Sequence, residues 1–419
     1  MRICIYEDLA DRFYPVALTR PVFELVCGHE SLRAKLERRL VGNSFCYSVR
    51  DSLAALYREQ NPGAAVNDSL ASPKEDILFL NGRLLASSFI PPADGPEEVG
   101  KSGSDIVYVR AKPASIAAAP GATATEKVAS LAAKLPSKEI KATVIGWIWE
   151  LIHHNPAEIT RDFEIKGHSG VEGKLEEFVA ILGDRKNVFI APGARVHPMV
   201  VIDAQNGPVY VAENVEILPH TRVEGPCYLG PKTILYGGKI REGSSLGPVC
   251  RVGGEVEESI IHGCSNKYHD GFLGHSYVGM WVNLGALTTN SDLKNDYGTV
   301  DVHMTGKLVD TGDTKIGSFI GDHTKTSIGT LLNTGTYLGM MCNILASGEP
   351  APKFIPDFVW HVRGKFMRAR MKDALATART AMGRRKKELS PAEEAVLQHA
   401  FQLTEEERNE EIKKSRAKV

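Results

Sequence analysis

From Ile190 onward the chain repeats at an interval of six residues, and no other feature restricts its fold as strongly. Val211, Ile217, Val223, Leu229 and Leu235 follow at six-residue steps without exception. Ile190, Val196 and Ile202 keep the step before them, and Ile240, Leu246 and Val252 after them. Beyond an interruption come Leu273, Val278 and Leu284, then Ile320, Thr326, Leu332, Leu338 and Ile344. Turn formers fill the intervals: Pro192-Gly193, Gly225-Pro226, Gly230-Pro231, Gly237-Gly238 and Gly247-Pro248. Neither a helix nor an alternating strand has period six. A parallel β-helix does, each hexapeptide making one flat side and one corner, with its apolar residue stacked inside a narrow core. Unrelated strands of a β-sandwich have no reason to stay in step five times running. Spacing leaves the hand of the coil open.

Ahead of the repeat, strands and helices alternate. Arg2 to Tyr6, Ile77 to Leu80 and Ile106 to Val109 read as strands, and Ser31 caps a helix running to Leu40. That pattern predicts an α/β unit. Pro91–Ser104 and Ala111–Thr125 read as loops, and residues 126–182 as mostly helical, Thr143–His154 included. After Lys353 the chain is charged and helical over Phe366–Met382 and Pro391–Lys414, the second segment opened by Ser390-Pro391. The expected organisation is an α/β domain over 1–182, a β-helix over 188–352 and a helical tail over 353–419.

A net charge of -1 gives no electrostatic case for nucleic acid or an acidic membrane surface. Seven scattered cysteines, with no C-x-x-C, fit a reducing cytoplasm. No run reaches transmembrane length, and Glu7, Asp8 and Asp11 stand where a signal peptide would be apolar.

The interruption of the repeat, Asn266 to Asn290, gathers Lys267, His269, Asn283 and Asn290 between short apolar steps. One reading of His262, Cys264, His269 and His275 is a zinc site, but their spacing matches no recognised ligand pattern.

The stretch K-Y-H-D-G-F-L-G-H-S-Y-V-G-M-W-V-N-L-G-A-L-T-T-N, set in hexapeptides, resembles the acetyltransferase half of the bifunctional enzymes that make UDP-N-acetylglucosamine. The resemblance covers roughly residues 188–352. It implies a left-handed parallel β-helix of hexapeptide repeats after a Rossmann-like α/β nucleotidyltransferase domain, and a cytoplasmic homotrimer with its site between subunits. His269 falls on the family's catalytic histidine, Lys267 on a sugar-phosphate-binding lysine, and Asn283 and Asn290 on site asparagines. Phe272 stands where the family has a tyrosine, and Lys294 where the archaeal branch has a further site lysine. The first half resembles the nucleotidyltransferase domain through A-D-R-F-Y-P-V-A-L-T-R-P, where Arg12 matches the loop arginine and Arg20-Pro21 a second motif. The loop has no glycine between Arg2 and Cys27, Val22 replaces a lysine, and Arg83 replaces the magnesium-binding aspartate. A cation cannot ligate Mg²⁺.

Acetyl transfer to a sugar amine needs a base and stabilisation of the thioester oxyanion. The resemblance gives the first role to His269 and the second to Asn283 and Asn290, with Lys267 and Lys294 holding the sugar phosphate. Lys325 and Thr330 are the candidates for the phosphates of acetyl-CoA, the cosubstrate. The expected function is an acetyl-CoA-dependent N-acetyltransferase acting on an amino-sugar phosphate such as glucosamine-1-phosphate, with a degenerate nucleotidyltransferase domain. In a second reading the chain also transfers a nucleotidyl group from UTP or dTTP, with Mg²⁺ held by Asp105 or Glu7. In a third it is a non-catalytic β-helix assembly protein.

Overall fold

Registers such as Val209 with Cys227 and Ser318 with Thr336 wind the chain into a parallel β-helix of three six-residue steps per coil. A computed structural model describes residues 2–68, 70 and 73–417. The prism starts earlier than the repeat suggested. Strands Gly170–Val171, Lys174–Leu175 and Ala180–Leu182 form its first coil, where the sequence reads as helix, and Val359–Val362 belongs to its last. The five residues in step from Val211 to Leu235 are fully buried. Each such side chain contributes roughly 1.5–3 kcal/mol on burial, so the stack is the spine of the molecule.

The N-terminal residues build a seven-stranded sheet. Arg2–Tyr6 lies between Ser44–Ser48 and Ile77–Asn81, all parallel, and Asp105–Ala111 runs antiparallel at the far side of Ile77–Asn81. The helices of this half are α1 (Leu32–Arg39), α2 (Asp51–Gln60), α3 (Pro113–Ala118), α4 (Ala124–Ala132) and α5 (Ile148–Lys166). Ser31 caps α1 by accepting from the Ala34 amide. The short α3 lies in a stretch that reads as loop, its start set by Pro113. α5 begins at Ile148, not Thr143, because Trp147 is extended.

One side of the prism carries an outward row of Phe189, Tyr210, Tyr228, Ser245, Ile260, Tyr277, Phe319, Tyr337 and Phe354, each the register partner of the next. α5 covers this row. Ile148, Trp149, Leu151 and Ile152 share one core with Tyr277, Phe319 and Tyr337. Between Tyr277 and its partner Phe319 the chain inserts an extra segment, including the antiparallel hairpin of Asp301–Met304 and Lys307–Asp310.

The tail departs from expectation at its start. Lys365–Arg368 is a strand antiparallel to Val359–Val362, and helix begins only with α6 (Met371–Gly383). α7 (Pro391–Leu403) and α8 (Glu405–Ala417) follow, α7 capped by Ser390 with Pro391 in its first turn. Leu375, Ala378, Leu397 and Ala400 pack with Leu18, Met340 and Phe358, which locks the tail to both halves. No helix among the described residues is long and apolar enough to cross a membrane.

Candidate functional site

On a second side of the prism the outward positions of successive coils are Arg251, Asn266, Asn283, Lys325, Asn343 and Trp360. Each stands one residue from an inward position, so the side chains rise from the face in a column. α6 lies across this column. Towards its C-terminal end, Arg384 and Arg385 come down beside Arg251, Asn266, Asn283 and Lys325 around a cavity of about 460 Å³, with Trp281 and Cys264 completing the wall. Arg385 donates to the Asn266 side-chain oxygen at 2.7 Å, and Asn266 donates to the Asn283 oxygen at 3.1 Å. A second cavity, about 360 Å³, continues under the N-terminal half of α6 past Lys325, Asn343 and Trp360.

No carboxylate lines the larger cavity. Among the described residues none of its four cations is ion-paired; the Lys325 ammonium donates only to the His323 carbonyl, at 2.8 Å. Burial brings the Lys325 pKa down to about 8. Burial and then the charge of Arg251 pull Arg385 below its ordinary value. Cations massed this way raise one another's energy unless an anion joins them.

Asn283 and Lys325 are the two sequence-derived candidates that this groove unites. His269 is exposed on a turn, its ring centroid 4.7 Å from that of Tyr268. Lys267 lies outside this groove. Its side chain takes an inward place opposite Val252, 2% exposed, and its ammonium donates to the carbonyls of His269 at 2.6 Å and Gly253 at 3.2 Å. Burial lowers its pKa to about 8. Gly254, at φ +67°, leaves room for that ammonium: a Cβ there would stand 2.7 Å from it. Lys267 therefore braces the His269 turn from within.

Asn290 is likewise turned inward, 6% exposed, its amide exchanging bonds with the Gly274 amide and carbonyl at 2.9 and 3.0 Å. The buried Thr330 hydroxyl donates to the Ser327 carbonyl. Lys294, in the inserted segment, donates to Thr299. Phe272 is half-buried, with its backbone amide on Thr289. The four lie outside the linings of both cavities on this face.

His275 is the better-held imidazole of this region. Burial opposes its charge, but Asp292 at 2.8 Å and Glu258 at 3.4 Å outweigh it and raise the pKa to about 9. A protonated ring cannot serve as a base. Because the folded value lies above the unfolded 6.5, this stabilisation is whole below that pH and is lost as pH rises towards 9. The shift corresponds to about 3 kcal/mol at 1.36 kcal/mol per unit. The stability gap between wild type and His275→Gln should therefore shrink by that order between pH 6 and pH 9 in urea unfolding. An unchanged gap would remove the ion pair's role.

In the N-terminal half, Arg12 lies over the Trp147 ring at 4.7 Å. Arg20 reaches out of its domain and pairs with Asp322 of the prism through two bonds, 2.5 and 3.2 Å, a bridge buried at both ends. Its guanidinium is thus committed to the junction between the halves. Arg83 is buried at the end of the central strand, donating to Asp8 at 2.6 Å, to Asp105 at 2.8 Å and to the Ile145 carbonyl at 2.7 Å. Asp105 is thereby engaged, and Glu7 is held by the Val22 and Arg50 amides. No three His, Cys, Asp or Glu side chains among the described residues gather as for a metal ion. His262 instead bonds Tyr277, and His275 its two carboxylates.

Arg251, Asn266, Arg384, Arg385 and Asp322 are site and junction residues that sequence reasoning passed over. The run Gly383-Arg384-Arg385-Lys386-Lys387 was a visible signal for two of them. Arg251 and Asn266 each sit one residue before an inward position, which marks them as outward.

Residues 3–169 match the family described as "Sugar nucleotidyl transferase". A "Bifunctional sugar-1-phosphate nucleotidylyltransferase/acetyltransferase" of Sulfurisphaera tokodaii is 34% identical over 33% of this chain and 35% of its own length. A "Bifunctional protein GlmU" of Acaryochloris marina is 28% identical over 49% of this chain and 39% of its own. The chain thus spans little more than a third of these relatives. An Arabidopsis UDP-N-acetylglucosamine acyltransferase structure aligns at TM-score 0.21 and 9% identity, over 52% of this chain and 79% of that one. That likeness is slight, and the fold rests on the strand registers above. Residues 3–169 are thus similar to sugar nucleotidyl transferases, in a chain that over part of its length is similar to bifunctional nucleotidyltransferase/acetyltransferase enzymes.

Proposed function

We propose that the chain is an acetyl-CoA-dependent N-acetyltransferase whose acceptor is an amino sugar bearing phosphate. The observation that carries this reading is the carboxylate-free groove in which Arg251, Lys325, Arg384 and Arg385 surround Asn266 and Asn283. Such a groove suits a phosphorylated ligand, since guanidinium forks match phosphate oxygens and an ammonium adds a point charge. His269 takes the proton from the attacking amine, and the Asn283 amide donates to the oxygen on which negative charge develops. As in the sequence reading, the working unit is a homotrimer, and the exposed His269 ring is completed by a neighbouring copy. Acetyl-CoA would run along the continuation of the groove past Lys325 towards Trp360. The names of the relatives support the reaction class.

Nucleotidyl transfer, in this reading, has been lost from the N-terminal domain. Arg83 stands between Asp8 and Asp105 where a divalent cation would need free carboxylate oxygens. The rival reading keeps both reactions.

The test is thiol release from acetyl-CoA with a panel of amino sugars, alongside pyrophosphate release from UTP or dTTP with sugar-1-phosphates and Mg²⁺. Acetylation of a phosphorylated amino sugar is expected, with a KM at least ~10-fold higher in Lys325→Ala, about the effect of one lost charge-assisted bond. Pyrophosphate release at a comparable rate would restore the bifunctional reading. No acetylation of any acceptor would overturn the proposal.

A further inference from the structure

The groove contains more positive charge than a single phosphate can use, and this bears on which acceptor it takes. We infer that it binds a diphosphate attached to a nucleoside, as in a nucleoside diphosphate sugar, and that Arg384 and Arg385 of the tail are its specificity-determining residues. The inference rests on the acetyltransferase reading and names its substrate class.

Charge is the first ground. Arg251, Lys325, Arg384 and Arg385 line one cavity with no carboxylate among its walls. A phosphate monoester carries at most two negative charges, which two cations neutralise. The two guanidinia from the turn after α6 are then in excess, and Arg385 is already disfavoured by burial and by Arg251 beside it. A diphosphate supplies oxygens on two centres and lets each fork engage its own phosphate.

Position is the second ground. Arg251 and Lys325 rise from the prism, whereas Arg384 and Arg385 descend from the opposite wall, so the cations face each other across the cavity. Asn266 holds Arg385 in place through the 2.7 Å bond. A guanidinium anchored this way is ready to receive a ligand, at little further cost in side-chain order. Space is the third ground. About 460 Å³ exceeds what one phosphate fills and is a usual size for a nucleotide-sized ligand site. Trp281 adds an aromatic side chain to the wall.

The same diphosphate chemistry occurs in a nucleotide sugar and in coenzyme A, and the experiment separates them. Calorimetric titration of the full chain with UDP, UMP, inorganic phosphate and free coenzyme A is the measurement. UDP is expected to bind at least ~10-fold tighter than UMP or phosphate. Arg384→Ala/Arg385→Ala should erase that preference, and Arg384→Lys/Arg385→Lys should keep part of it, which separates charge from folding. Equal affinity for UDP and UMP, or a double alanine variant that still prefers UDP, overturns the inference. Coenzyme A losing affinity through these arginines while UDP does not bind assigns the diphosphate to the donor and overturns the acceptor assignment. UDP bound through the arginines without acetylation of any acceptor leaves the diphosphate site and removes the acetyltransferase reading.

Discussion

Asp322→Ala destabilises the protein by about 3–5 kcal/mol, the usual loss when one partner of a buried ion pair is removed. Asp322 is 4% exposed and accepts from Arg20, from the Thr19 hydroxyl at 2.6 Å and from the Met280 amide at 2.8 Å. Burial works against its charge, yet Arg20 holds its pKa below the usual carboxylate value. Alanine would leave the Arg20 guanidinium, 9% exposed, without a counter-charge at the join between the two halves. The measurement is the denaturant midpoint of the full chain. Because loss of one partner also strands the other, the double variant Arg20→Met/Asp322→Leu should recover most of the loss. If Asp322→Ala shifts the midpoint by less than about 1 kcal/mol, or the double variant is worse than the single, the bridge does not hold the halves together.

The largest kinetic effect is expected at His269. Removal of a general base typically lowers turnover about 10²–10⁴-fold, and His269→Ala should do so in the acetylation assay with the KM for the acceptor little changed. The side chain is exposed, its ring 4.7 Å from that of Tyr268, while its backbone carbonyl accepts from Lys267. Truncation should therefore leave stability intact. A variant with turnover within about three-fold of wild type would clear His269 of the role and send the search to another base. His275 is the wrong alternative in this conformation, because Asp292 and Glu258 keep its proton on.

What could be read in the chain beforehand follows from which direction a residue faces. Period six names the inward column, and that column gave the prism. Applied one step further it also sorts the site. Lys267 lies six residues before Leu273, and Asn290 six after Leu284, so both are in phase with the core and both are buried. Asn283 and Lys325 lie one residue out of phase and reach the groove. Motif position alone did not distinguish these cases. The aromatic row from Phe189 to Phe354 was equally present, one residue before each inward position, but nothing in the spacing says that α5 will cover it. The first coil escaped notice because Gly170–Leu182 offers Val171, Leu175 and Ile181 in place of a long unbroken series. The arrival of Arg384 and Arg385 over the prism is long-range packing, which no local pattern encodes.

α5 covers one side of this triangular rod and α6 crosses the later coils of a second, which leaves the third as a broad flank bounded by its edges. That flank is tiled by opposite charges, Arg222 with Asp203 and Glu224, Arg241 with Glu255 and Glu257, and Lys239 with Glu255. Such self-neutralised tiling offers little to a second molecule beyond salt-screened attraction. The edges differ: Leu287 and Ile328 protrude there, 60% and 72% exposed. In a homotrimer of the kind proposed above, copies meeting along such edges would share seams far narrower than a face, and the geometry of those seams would decide what each can reach on the other.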